Sequence, residues 1–94
     1  MKDATLGGYL GEHERPPAFQ GADGCSYTVE ILIDPDDGAH HGYLFFLKWE
    51  GGGPVGHVES EYLVDADCEG EARAGLEKLT LHEVKSVLDN LVAG

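Results

Sequence analysis

Basic residues are scarce in this chain. Six Lys and Arg stand against eighteen Asp and Glu in 94 residues, for a formal net charge of −12. A surface of that sign repels phosphate backbones and anionic membranes, so neither nucleic acid nor membrane is an expected partner. Long apolar runs are missing too. Nothing approaches the roughly 18 residues of a membrane span, and the opening MKDATLGGYL lacks the apolar stretch of a secretory signal. Cysteine is limited to Cys25 and Cys68, far apart and outside any CxxC spacing. The expectation is two reduced thiols and a cytoplasmic protein.

Apolar residues are present in modest supply. Leu, Ile, Val and Phe make up 23 of the 94 residues. That is enough for one small core and one domain. The acids are spread evenly, with eight in residues 1–47 and ten in residues 48–94. The charge therefore belongs to the folded surface rather than to a tail. Basic proteins and divalent cations are the partners that such a surface attracts. The scarcity of Lys also matches adaptation to a saline cytoplasm, as it does an ordinary acidic protein.

The pattern of apolar residues predicts an α+β domain over residues 1–94. Residues 1–15, with Leu6, Tyr9 and Leu10 as anchors, read as an irregular arm. Residues 18–63 read as an antiparallel meander of three to four strands, beginning with a short edge strand at 18–20. Residues 25–34 alternate Tyr27, Val29, Ile31 and Ile33 against Thr28, Glu30, Leu32 and Asp34. Residues 42–50 alternate Tyr43, Phe45, Leu47 and Trp49 against Leu44, Phe46 and Lys48, and a third long strand covers 55–63. From residue 68 the period lengthens to about 3.6. Two stripes out of phase, and a Thr80-x-x-Glu83 capping box between them, predict helices over 69–79 and 81–92. The resulting architecture has two layers, with both helices covering one sheet face. That face is expected to carry Tyr27, Val29, Ile31, Tyr43, Phe45, Leu47 and Trp49, joined by Val58 and Tyr62.

Motifs with chemistry are few. Gly51-x-Gly53-x-x-Gly56 matches a dinucleotide-loop spacing, but a strand follows it and Pro54 removes an amide, so it reads as a hairpin loop. The acids from Asp34 to Asp37 fail the calcium-loop spacing, with Ala39 and Phe45 at positions that need Gly and Glu. No cofactor is expected. Residues 79–88, LTLHEVKSVL, resemble the first helix of SAP-type DNA-binding modules. The resemblance covers ten residues and implies a helix there; the basic second helix of that family has no counterpart.

Two functional expectations remain. The first is a non-catalytic accessory or protein-interaction module. Leu32, Leu44 and Phe46 are expected on the sheet face away from the helices, as an interface or beneath the arm through Leu6, Tyr9, Leu10 and Phe19. Glu59, Glu61 and Asp65 begin a run of six acids in thirteen residues, a docking patch for a basic protein; a homodimer is the other partner considered. The second is a divalent-metal site. His57, Glu59 and Glu61 share one strand face by alternation, and His40 or His41 would join them if the register allowed. A cryptic enzyme built on Cys25 or Cys68 is a third reading.

Like charge in such excess opposes compaction. The melting temperature should rise between about 10 mM and about 1 M salt, as the Debye length falls from roughly 30 Å to 3 Å. Thermal denaturation across that series that shows no rise would contradict a charge-strained fold.

Overall fold

Two dipeptides set the sheet. Asp37 (φ 46°) and Gly38 (φ 85°) both occupy left-handed backbone, which a type I′ turn requires and which matches the twist of paired strands. In the computed structural model, which describes residues 4–93, they join β2 (Ser26–Asp36) to β3 (Ala39–Glu50), with Asp36 opposite Ala39. Gly51 (φ 61°) and Gly52 (φ 85°) likewise join β3 to β4 (Gly53–Glu59). The glycine-rich segment is thus a hairpin. A short β1 (Ala18–Gln20) pairs with β2, and β5 (Val64–Ala66) pairs with β3. All pairings are antiparallel, and β4 and β5 follow each other along the same edge of β3.

The first hairpin is longer than the turn residues alone imply. Pro35 lies inside β2, opposite His40. A two-residue loop makes Asp36–Ala39 a hydrogen-bonded pair, so Pro35 takes a non-bonded position. The N–H that proline lacks would point to the free edge of β2, which β1 does not reach.

The expected third strand, 55–63, ends early at Glu59, and a further short strand, β5, follows beyond its predicted bounds. Phe45 faces Glu59 and Gly42 faces Val64, so residues 60–63 bulge between them. Ser60 holds the break. Its backbone N–H donates to the Leu44 carbonyl, its Oγ accepts from the Leu44 N–H at 3.0 Å, and its hydroxyl donates to the Glu61 carbonyl at 2.7 Å.

Three helices cover one face: α1 (Leu6–Glu12), α2 (Glu69–Glu77) and α3 (Leu81–Val92). The two C-terminal helices fall where the 3.6-residue period puts them. Thr80 and Glu83 form the predicted capping box, with the Glu83 amide donating to Thr80 Oγ1 at 3.0 Å and the Thr80 amide donating to Glu83 Oε1 at 2.9 Å. α2 rests on β2, β3 and β5, and α3 reaches β4. Gly42 lets α2 approach, since a Cβ there would lie 2.8 Å from Leu76.

The arm differs from expectation. Residues 6–12 are helical, and they join the helical layer instead of crossing the other sheet face. Thr5 caps α1 by accepting from the Gly8 amide, Leu6 is buried in the core, and Gly7 permits close packing on Glu77 of α2. The Leu6 amide donates to the Leu79 carbonyl, and the Leu81 amide donates to the Ala4 carbonyl. Residues 4–6 are therefore clamped to the bend between α2 and α3.

The second correction concerns β3. Leu44 and Phe46, expected on the outer face, are wholly buried beneath the helices with Leu6, Val29, Leu76, Val84 and Leu88. Tyr43, Phe45, Leu47 and Trp49 take the outer face instead. The cause is parity. A two-residue loop at 37–38 pairs odd residues with even ones: Tyr27 with Lys48, Val29 with Phe46, Ile31 with Leu44. Paired residues share a face, so the Tyr27 face carries Leu44 and Phe46.

Two substitutions test this. Thr80→Ala should cost about 1 kcal/mol by chemical denaturation; an unchanged midpoint would speak for one continuous helix. Phe46→Ala should cost about 3–5 kcal/mol, and Phe45→Ala clearly less. Equal losses at the two positions would refute the register.

Candidate functional site

The outer face of the sheet is lined by the side chains that alternation leaves there. From β2 come Thr28, Glu30, Leu32 and Asp34; from β3, His41, Tyr43, Phe45, Leu47 and Trp49; from β4, His57 and Glu59. None of the three helices packs on this side. Leu32, Tyr43, Phe45, Leu47 and Trp49 are half-buried by one another. Together they form an apolar stripe along the middle of the sheet.

At one end of the stripe an aromatic and acidic cluster gathers. Tyr62, from the bulge after β4, stacks on His41 with ring centroids 4.7 Å apart and leans against Tyr43 at 5.8 Å. Its hydroxyl donates to Asp34 Oδ2 at 2.8 Å. The contact with Asp34 raises the Tyr62 pKa. Burial raises that of Tyr43, and the negative charges of Asp34 and Glu59 add to it. His41 Nδ1 hydrogen-bonds Asp65, and its Nε2 lies 3.5 Å from Asp36. Further along, His57 stacks on Phe45 at 4.9 Å and lies 3.5 Å from Glu59.

At the other end Trp49 is fixed by a hydrogen bond from its indole N–H to Thr28 Oγ1 at 2.9 Å. Beside it Arg15, Pro16, Ala18, Thr28 and Leu47 border an open groove of about 560 Å³. The groove is mostly apolar, and Arg15 and Glu30 stand at its margin with opposite charges.

Charge on this face is mostly negative, with Arg15 at the Trp49 end as the exception. Glu30, Asp34, Asp36, Glu59 and Asp65 border the stripe, and the sole Lys or Arg in the strands, Lys48, pairs with Tyr27 on the helix-covered face. Among the described residues the only ion pair made by a Lys or Arg is Lys85–Asp89 on α3. Among the described residues only His41 and His57 lie within ion-pair distance of the carboxylates of the face.

The residues singled out from sequence are divided by the fold. Leu32 and Glu59 lie on the outer face, and Asp65 reaches it through His41. Leu44 and Phe46 are core residues and form no interface. Glu61 lies off the face, in a shallow cleft with Leu63, Val87 and Asn90 of the α3 side. The metal ligands do not converge either. His40 faces away from His41, and its Nδ1 is buried with no hydrogen-bond partner among the described residues. His57 pairs with Leu47, six residues along β3 from His41, or roughly 20 Å at the rise of a strand. Among the described residues no three His, Cys, Asp or Glu side chains are placed to hold one metal ion. Cys25 and Cys68 are both free thiols. No helix among the described residues is long and apolar enough to cross a membrane.

Tyr43, Phe45, Leu47, Trp49 and Tyr62 went unassigned to this face on sequence alone. The parity of the Asp37-Gly38 loop is the signal that would have found the first four; Tyr62 depends on the bulge at 60–63. Comparison with family models, curated proteins and solved structures finds no match for this chain.

His41 ties the cluster to pH. The hydrogen bond to Asp65 raises its pKa most; burial opposes it, and the charge of Asp65 with the contact and charge of Asp36 add to the rise. Its contribution to stability is full below the unfolded imidazole value of about 6.5 and is lost as pH rises through the higher folded value. Denaturation midpoints should fall from mildly acidic to mildly alkaline pH, and His41→Gln should flatten that fall. A His41 ring that titrates by NMR at or below about 6.5 would contradict the arrangement.

Proposed function

We propose that this chain is a non-catalytic protein-interaction module whose outer sheet face docks on a basic protein surface. The observation that carries this reading is the uncovered stripe Leu32, Tyr43, Phe45, Leu47 and Trp49, bordered by carboxylates that Lys or Arg leaves unpaired. An apolar, aromatic-rich centre with a polar rim is the anatomy of an interface core. A half-buried apolar stripe that no helix covers supports a place of association.

The acids choose the partner. Two copies meeting face to face would bring two sets of five carboxylates together, a like-charge juxtaposition that costs several kcal/mol. A basic surface gains by the same arrangement, and its approach is accelerated by the long-range field. Nucleic acid and anionic membrane are disfavoured by the same sign. Two free thiols fit residence in a reducing cytoplasm.

The test is affinity capture with identification of bound proteins by mass spectrometry. Wild type should retain a partner with excess positive charge, and the partner should be lost at high salt. Leu47→Ser with Trp49→Ser should lose it as well, while Glu71→Gln on α2 should keep it. Self-association in sedimentation velocity that Leu47→Ser abolishes would overturn the proposal in favour of a homodimer.

A further inference from the structure

Resting on that reading, we infer that the tyrosine pair Tyr43–Tyr62, flanked by Asp34 and Glu59, is the seat for an arginine side chain of the basic partner. The two rings are inclined by 55° with centroids 5.8 Å apart, so they touch and present one continuous aromatic surface on the sheet. Tyr62 is 54% exposed and offers a free ring surface beyond its contact with His41. Asp34 and Glu59 stand on either side. Asp34 is on β2, diagonal to Tyr43 across the Leu32–Tyr43 pair; Glu59 is on β4, diagonal across the Phe45–Glu59 pair. Asp34 accepts from Tyr62 through Oδ2, which leaves Oδ1 for an incoming donor. The Glu59 side chain is 47% exposed, and its one ion-pair partner among the described residues is His57, at 3.5 Å.

A planar guanidinium fits this arrangement better than an ammonium. It stacks on a tyrosine face while its edge N–H groups reach carboxylates, and it gives up its hydration more readily. The chain's own arginine near this face does not fill the seat. Arg15 borders the groove at Trp49, six residues along β3 from Tyr43 and roughly 20 Å away.

The experiment is an NMR titration at low ionic strength with two capped peptides of alternating glycine and cationic residues, one with arginine and one with lysine. The arginine peptide should shift the ring signals of Tyr43 and Tyr62 and bind more tightly than the lysine peptide. The double variant Asp34→Asn, Glu59→Gln keeps the acceptor for the Tyr62 hydroxyl and should weaken binding roughly fivefold or more. The double variant Glu69→Gln, Glu71→Gln has the same net charge and should bind like wild type. Equal weakening by the two double variants, or equal binding of the two peptides without tyrosine shifts, would overturn the arginine seat and leave the acidic docking face standing. Binding of neither peptide anywhere on the protein would overturn both.

Discussion

The structure depends on a two-residue turn. Asp37 and Gly38 both hold left-handed backbone, and that short loop fixes the register of β2 on β3 for eleven residue pairs. Because side chains alternate with a period of two, a register displaced by one residue would exchange the faces of β3. Leu44 and Phe46 would then point outward, and Tyr43, Phe45, Leu47 and Trp49 would lie beneath the helices. Both arrangements bury apolar groups, so hydrophobicity alone selects neither. The turn selects, and with it the identity of every side chain on the open face.

What the helices receive follows from that choice. Gly42, Leu44 and Phe46 make a narrow apolar strip into which Leu76 fits over a missing Cβ. Aromatic rings at the same level would hold α2 farther from the sheet. The layer is closed by α1, whose backbone is hydrogen-bonded to both sides of the α2–α3 bend. With three helices packed on one side, the bulky aromatic residues of β3 are left to cover one another. Trp49 is held by Thr28, Phe45 by His57 and Tyr43 by Tyr62. Ordering of this kind lowers the entropic cost of presenting a surface to a partner.

Much of the fold was legible because local signals agreed with one another. The helices at 69–77 and 81–92 announce themselves by period and by the Thr80–Glu83 box, and the β2–β3 and β3–β4 turns by their Asp-Gly and Gly-Gly pairs. The parts that were not legible have specific causes. β3 is apolar on both faces, so its alternation carries no sign of which face is inside. The helix at 6–12 contains Gly7, Gly8 and Gly11, poor helix formers, and owes its form to burial of Leu6 and to the capping hydroxyl of Thr5. The break at Ser60 depends on a side chain that satisfies the Leu44 amide from outside the ladder, a contact with no local signature. Of the site, Leu32, Glu59 and Asp65 were visible in sequence. The rings were visible too, but on the wrong side, and the His57–Glu59–Glu61 alternation dissolved once Glu61 proved to lie past the end of β4.

The distribution of charge connects stability to recognition. A net charge of −12 on so small a body is a standing cost to compactness. Part of it is spread over helix surfaces, where Glu69 and Glu71 are favoured by the helix N-terminus. On the open sheet no helix end supplies such compensation, and His41 answers only Asp36 and Asp65. Among the described residues Glu30 and Asp34 have no cationic partner within ion-pair distance and Glu59 has only His57, so this face keeps its share of the chain's self-repulsion. On the reading proposed above, a basic partner relieves that repulsion on docking. Whatever binds the folded state alone stabilises it by linkage, so the same carboxylates that weaken the free domain would strengthen the complex.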